Sequence, residues 1–147
     1  MTREQRQILA MVENSPLAWE VRGLVKERAH RVSSFGIRHV TRHGLDGRIT
    51  RWREIECWCS GAAWLLNKLN IRAAPANKNS GEWPKTPQQL GVILNKLTPG
   101  LQMKNVHVTY SRHGLYGRLW TLWAIDNVET VDTLVSEMMR QPLPYPR

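Results

Sequence analysis

Cysteine is scarce in this chain of 147 residues, where Cys57 and Cys59 are the only two. Two cysteines do not make the disulfide framework of a small secreted domain, and they stand too close together to pair within a strand. No apolar run approaches the roughly 20 residues of a membrane-spanning helix, and residues 1–5 lack the apolar middle of a signal peptide. We therefore expect a cytoplasmic protein with reduced thiols and no membrane partner.

Motifs for catalysis are also lacking. The sequence contains no Gly-x-x-x-x-Gly-Lys loop and no paired-carboxylate metal motif. Cys57 and Cys59 with His39 or His43 offer metal ligands, but their spacing is not that of a zinc site and no second pair exists. His43 and His113, in basic turns, offer acid or base chemistry on RNA without an evident nucleophile or carboxylate partner. We expect no enzyme activity, no metal and no cofactor.

Carboxylates are almost missing from the middle of the chain. Between residues 57 and 125 there are eight Lys and Arg residues and one acid, Glu82, whereas the whole chain has 21 basic and 12 acidic residues. A surface that meets only water normally mixes the two signs. The excess favours a polyanionic partner for this central segment, such as DNA.

The pattern of apolar and capping residues predicts an α+β chain. Thr2 with Gln5, Ser15 with Pro16, and Thr86 with Pro87 are typical helix starts, and Ser60 is a plausible N-cap for a helix ending near Asn70. Thr98-Pro99-Gly100 predicts an interruption of the helix that begins at Thr86. Asp126 with Glu129 predicts a last helix, whose apolar face carries the following residues: Val128, Val131, Leu134, Val135 and Met138.

Two hairpins are predicted, and their turns share a sequence. Residues 37–42 and 48–55 alternate around a glycine-rich turn, as do residues 106–111 and 117–125. Both turns contain Arg-His-Gly-Leu-x-Gly-Arg. The glycines satisfy the turn, but the flanking arginines and histidines are not needed for turning and favour contact with phosphate.

Two further stretches carry a family resemblance. Residues 58–70 read Trp-Cys-Ser-Gly-Ala-Ala-Trp-Leu-Leu-Asn-Lys-Leu-Asn, and residues 83–101 run from Trp-Pro-Lys-Thr-Pro-Gln-Gln-Leu-Gly to Asn-Lys-Leu-Thr-Pro-Gly-Leu before Val-His-Val at 106–108. They resemble the C-terminal winged-helix region of phage and plasmid primase-helicase replication proteins. The resemblance covers about residues 58–123, and it implies DNA binding without the ATPase or primase activity of such proteins.

The expected architecture is therefore a winged helix-turn-helix with extensions at both ends. Residues 1–56 form N-terminal helices plus a β-hairpin, residues 57–125 the winged-helix domain, and residues 126–147 a C-terminal helix and tail. The expected partner is DNA, most simply double-stranded, in replication or regulation of a phage or plasmid. The expected contacts are residues of the fourth helix and both hairpins: Lys85, Thr86, Gln88, Gln89, Val92, Asn95, Lys96, Lys104, Arg112, His113, Arg118, Arg42 and Arg48.

Alternatives stay open for the function and for the tryptophans. The same scaffold could be a phage-type interaction module or inhibitor that binds a replication or host protein complex through its basic face, because fold does not fix function. Five tryptophans could stack on single strands, but their amphipathic settings favour the core instead: Trp58, Trp64, Trp83, Trp120 and Trp123.

Overall fold

The computed structural model describes residues 1–31, 36–113 and 117–130, with the backbone alone at residues 113 and 127–130. Its elements in chain order are α1 (Arg3–Glu13), α2 (Pro16–Ala29), β1 (Ile37–His43), β2 (Ile49–Ser60), α3 (Ala62–Arg72), α4 (Pro75–Lys78), α5 (Pro87–Met103), β3 (Val106–His113) and β4 (Gly117–Thr130). The α+β class expected from the sequence is confirmed.

Three helices begin where their caps predict. Thr2 and Gln5 exchange side-chain and backbone hydrogen bonds at the start of α1, and the Ser15 hydroxyl accepts from the Ala18 N–H before α2. The Thr86 hydroxyl accepts from the Gln89 N–H before α5. These bonds satisfy N–H groups that the first turn of a helix leaves without partners.

The predicted cap of α3 is wrong. Gly61 occupies the N-cap position and supplies no side-chain bond. The Ser60 hydroxyl is used elsewhere, because it donates to the Gly61 carbonyl and accepts from the Trp58 indole N–H. Ser60 is the last residue of β2, so the strand continues further than its alternation indicated.

The predicted interruption of α5 at Pro99 is also wrong, since the helix runs unbroken to Met103. Pro99 has no N–H to donate within the helix, and packing against the rest of the fold keeps the last turn helical in spite of this loss. Leu101 is fully buried, and a Cβ at Gly100 would lie 2.8 Å from Cβ of Val12. Helix α1 therefore packs directly against the backbone of α5 at this point.

The two hairpins form one antiparallel sheet with the strand order β1-β2-β4-β3. They are joined by β2 and β4, which pair from Ser60↔Trp120 to Thr50↔Thr130. The domain boundary expected after residue 56 falls inside β2. The two ends of β4, Gly117 and Thr130, are about 40 Å apart at the usual rise per strand residue, and the β1–β2 turn lies near the Thr130 end.

The predicted helix start at Asp126 is wrong, because β4 continues to Thr130. Asp126 lies opposite Arg53 of β2, and its carboxylate accepts a 2.6 Å hydrogen bond from the Arg53 guanidinium. The local capping signal is overridden by this long-range pairing. The remainder of the predicted helix, with Val131 to Met138, lies outside the described residues.

The hydrophobic core lies between the helices and one face of the sheet. Trp120, Leu122 and Val108 are buried on that face, beneath the leucines of the helices. The opposite face, which we call the outer face, carries alternate residues of every strand, among them Arg38, Glu54 and Trp123. Helices α2, α3 and α5 pack on the core face, whereas α1 packs on α5 and α2. The end of α5 also borders the outer face.

Candidate nucleic-acid interface

Helix α5 presents a mainly polar strip to solvent, as the sequence pattern predicts. Leu90 and Leu94 are fully buried, whereas four of the expected contact residues on the other side are exposed: Gln88, Val92, Asn95 and Lys96. We call these four the α5 strip. Carboxamides on an exposed helix face have the donors and acceptors that base edges match.

Two hydrogen bonds to side-chain oxygens cap the start of α5. The Gln89 side-chain carbonyl accepts a 2.7 Å hydrogen bond from the Lys85 N–H, and the Thr86 hydroxyl accepts from the Gln89 N–H. The acceptor atoms of Thr86 and Gln89 therefore cap the helix, and the expected contacts of these two exposed residues with nucleic acid stay predictions. The ammonium of exposed Lys85 makes no ion pair with a described residue.

The end of the β3–β4 hairpin carries two unpaired arginines. Arg112 and Arg118 lie directly opposite one another, both exposed, and neither forms an ion pair with any residue that the structure describes. Like charges placed directly opposite across a strand pair are destabilising. We call this pair the wing pair. The side chain of His113 and residues 114–116 lie outside the described part.

The wing pair lies at the same end of the molecule as the start of α5. Two residue pairs inward, on the same face of the sheet, the Tyr110 and Trp120 rings pack 4.7 Å apart, centroid to centroid. The indole of Trp120 also lies against Gly91, where a Cβ would be 3.3 Å from Cζ2. Gly91 stands between Gln88 and Val92, so this contact joins the hairpin to the α5 strip.

Two cations of the basic central segment are used inside the fold. The Lys104 ammonium is 3.0 Å from the Glu13 carboxylate, and the Arg72 guanidinium bonds Glu20 at 2.9 Å and Glu27 at 2.6 Å. The hydrogen bond and charge of Arg72 lower the pKa of Glu27. These acids come from the N-terminal helices, so a charge count by segment cannot reveal the pairs.

Arg42 and Arg48, the expected contacts in the first hairpin, do not join the wing pair. They lie on or beside β1 and β2, at the opposite edge and end of the sheet. Arg48 Nε is 3.5 Å from an Asp46 carboxylate oxygen, and Arg42 is exposed opposite Thr50. The expected contact residues therefore divide between two distant regions.

A groove runs between α5 and α1, and the sequence did not indicate it. Its volume is about 840 Å³. The α5 strip supplies one wall through Gln88, Val92 and Lys96, and α1 supplies the other through Gln7 and Met11. Met11 and Val92 are more than half exposed. The periodicity of α1 showed an apolar side, but not which part of it remains uncovered.

The tryptophans divide between core and surface. Trp83 and Trp120 are buried, and Trp58 and Trp123 are half-buried under the guanidinium groups of Arg28 and Arg38. The core interpretation is wrong for Trp64, whose side chain is 71% exposed on α3. Trp64 follows the short start of the helix and faces away from Leu65 and Leu66.

The cysteines and histidines weighed above as metal ligands form no such cluster, since the described residues hold no group of three or more His, Cys, Asp or Glu side chains that could bind a metal ion. Burial raises the pKa of the Cys57 thiol, whereas Cys59 is exposed. Within the same described residues, no helix combines the length and apolar character that crossing a membrane requires.

One comparison with known proteins finds a match. The profile of the AICE RepA C-terminal domain matches residues 37–136, which include both hairpins and not only the stretch 58–123 of the sequence resemblance. Comparisons with curated proteins and with solved structures find no significant match. The matched stretch is more than half of the chain, and the chain therefore belongs to the family of AICE RepA C-terminal domains, a replication-protein domain.

Proposed function

We propose that this domain binds double-stranded DNA during replication, with the α5 strip in the major groove and the wing pair on the adjacent phosphates. The contact that carries the proposal is the packing of Trp120 on Gly91, which places the wing pair and the α5 strip at one end of the molecule. The domain would act in the cytoplasm as a binding module, without catalysing a reaction.

The order of elements supports a winged helix-turn-helix. Strand β2 is followed by α3 and α5, and the β3–β4 hairpin then returns so that β4 pairs with β2. In a winged helix the second helix of the pair reads the groove and the hairpin flanks it. Here α5 and β3–β4 take those places. Strand β1 and helix α1 are additions to this plan.

The chemistry of the surface supports a division of labour. Gln88 and Asn95 carry amides that can pair bidentately with adenine edges, whereas Lys96 and the wing pair supply charge for phosphate oxygens. The repulsion between Arg112 and Arg118 costs stability in the free protein. A phosphate placed between them would remove that cost, which favours an anion as the natural partner of this hairpin.

The test is duplex binding measured by fluorescence anisotropy. The double variant Lys96→Glu with Arg118→Glu should weaken binding at least tenfold, because two attractive phosphate contacts become repulsive. The matched control is Lys26→Glu with Arg31→Glu, which makes the same change in net charge at exposed positions of α2 and beyond its end. Equal losses for the two double variants would contradict a contact at α5 and the wing.

A second candidate function is protein binding through the groove between α1 and α5. The exposed side chains of Met11 and Val92 favour it, since apolar side chains flanking a groove are typical of sites that accept a partner helix. Met11→Gln, which adds no charge beside the α5 strip, should then abolish capture of a replication or host protein from nuclease-treated lysate and leave duplex affinity unchanged. Unchanged capture by this variant would exclude the groove as the docking site.

A further inference from the structure

The outer face of the sheet contains a small pocket that the proposed duplex interface does not use. Its volume is about 260 Å³. This is slightly less than the roughly 300–1,000 Å³ of pockets for drug-sized ligands, so a single planar group suits it better. We call it the outer pocket, and its lining is Arg42, Thr50, Trp52, Gln102, Asn105 and Ile125.

The lining residues come from four parts of the fold. Arg42 belongs to β1, Thr50 and Trp52 to β2, and Ile125 to β4, and the register of the strands places all four on the outer face. Gln102 and Asn105 close the pocket from the end of α5. The backbone of Asn105 is held by a 2.8 Å hydrogen bond from the Ile125 N–H, at a φ of 64° that asparagine tolerates.

The indole of Trp52 is fixed beside the pocket by a buried carboxylate. Its N–H donates a 2.8 Å hydrogen bond to Glu54, whose side chain is fully buried. Glu54 also accepts bonds from Arg38 at 2.7 Å and contacts the His107 ring nitrogen at 2.7 Å. A half-exposed aromatic ring held in one orientation is a stacking surface that needs little ordering when a base binds.

The lining combines the groups that one nucleotide requires. Trp52 offers a ring for stacking, and Gln102 and Asn105 offer amide donors and acceptors for a base edge. Exposed Arg42 makes no ion pair with a described residue, so its charge is available for a phosphate. None of the described lining residues is a carboxylate, and the nearby charge of Glu54 is opposed by Arg38.

From this lining we infer that the outer pocket binds one unpaired base of a single-stranded DNA, with Arg42 on the adjoining phosphate. A base inside a duplex is stacked on both sides and cannot enter a pocket of this kind. The inference shares with the proposed function only its class of partner. The pocket lies at the other end of the sheet from the wing pair, so a domain with both sites would contact a junction of duplex and single strand.

The test compares strands of equal charge. Labelled oligodeoxyadenylate of about twelve nucleotides and an abasic strand of the same length are titrated at about 50 mM salt. The wild-type domain should bind the adenine strand more tightly. Gln102→Ala should weaken that binding about fivefold and reduce the difference between the two strands. Asn67→Ala, at an exposed carboxamide on α3, should change neither.

The phosphate contact has its own pair of variants. Arg42→Glu should weaken binding of the adenine strand about tenfold, and Arg31→Glu much less. Equal affinities of the wild-type domain for the adenine and abasic strands would overturn the inference, as would equal effects of Arg42→Glu and Arg31→Glu. Binding of free deoxyadenosine monophosphate without binding of the strand would overturn the assignment to a strand.

The outcomes separate this inference from the duplex proposal. In one outcome, the Lys96 and Arg118 double variant loses duplex binding, but the Arg42 and Gln102 variants bind the single strand normally. This outcome would contradict the inference about the outer pocket and leave the duplex proposal standing. In the other outcome, the Arg42 and Gln102 variants lose single-strand binding, but the wild-type domain does not bind duplex. This outcome would contradict the duplex proposal and leave the inference about the outer pocket standing.

Discussion

Replacing Glu54 by glutamine is expected to destabilise the fold far more than the loss of one surface charge. The side chain is fully buried and accepts hydrogen bonds from the Trp52 indole and the Arg38 guanidinium, with the His107 ring at 2.7 Å. Glutamine has one carbonyl oxygen and an amide that only donates. At least one of these three groups would therefore face a donor instead of an acceptor.

The expected loss is about 2–3 kcal/mol. Breaking a buried ion pair costs about 3–5 kcal/mol when both charges are withdrawn from water. Arg38 is 46% exposed and can be rehydrated, which reduces the cost. A hydrogen bond to a charged group contributes about 1.5–3 kcal/mol to stability. The loss of the charge and of one such bond therefore agrees with an expected loss of about 2–3 kcal/mol.

The contribution of Glu54 to the free energy of unfolding should decrease as the pH falls. Burial would raise the pKa of Glu54, but the hydrogen bonds from Trp52, Arg38 and His107 outweigh it and hold the pKa below its ordinary value of 4.5. A carboxyl whose pKa is lower in the folded state stabilises the fold above its ordinary pKa, and this stabilisation is lost as the pH falls through the folded value. The difference between wild type and Glu54→Gln should therefore narrow below about pH 4.

Urea denaturation at about pH 7 and pH 3.5 measures both effects. Glu56→Gln is the matched control, because Glu56 lies two residues away on the same face, is half exposed and forms no ion pair with a described residue. It should change stability by less than about 0.5 kcal/mol. A loss for Glu54→Gln no larger than that of the control at pH 7 would refute the reasoning.

Three further predictions concern packing, charge and thiol reactivity. Gly100→Ala should lower the free energy of unfolding in urea by about 1–3 kcal/mol, because the new methyl group would clash with α1. The control Gly81→Ala, with open space around it, should be neutral, and equal effects of the two variants would contradict the packing. Arg112→Glu should raise stability by about 0.5 kcal/mol by removing a cross-strand repulsion, yet weaken duplex binding; a loss of both would indicate a folding defect. Alkylation of the native protein should modify exposed Cys59 quickly and buried Cys57 slowly, and equal rates would show that the core is open.

Local structure was largely predictable from the sequence. The starts of α1, α2 and α5 follow from side chains that cap the helix within three residues, so a short window contains the whole signal. Both hairpins follow from alternation around glycine turns. The failures at Pro99 and Asp126 have a shared cause, because partners distant in the sequence decide the outcome. At Ser60 the cause is local, because the hydroxyl bonds Trp58 and Gly61 instead of the helix start.

The joining of the two hairpins into one sheet could not be read locally. Pairing of β2 with β4 connects residues about seventy apart, and no short motif marks such a contact. It also places the β1–β2 turn and the wing pair at opposite ends of the sheet. The shared Arg-His-Gly-Leu-x-Gly-Arg sequence does not reveal this separation, because it contains no information on how the strands pair.

The candidate interface was predictable only in part. Helical periodicity placed the α5 strip outside, and the exposure of Gln88, Asn95 and Lys96 agrees with it. The roles of these residues stay predictions. Lys104 could not be recognised as the partner of Glu13, and the outer pocket could not be found at all, because its lining combines four elements that meet only after folding.

The salt dependence of duplex binding tests the central claim most directly. Four cations lie on the proposed surface: Lys85, Lys96, Arg112 and Arg118. The logarithm of the association constant should fall with the logarithm of salt concentration at a slope of about −3 to −4, and Arg118→Ala should reduce the magnitude by about 0.9. No binding at about 50 mM salt, or a slope that Arg118→Ala leaves unchanged, would contradict the account.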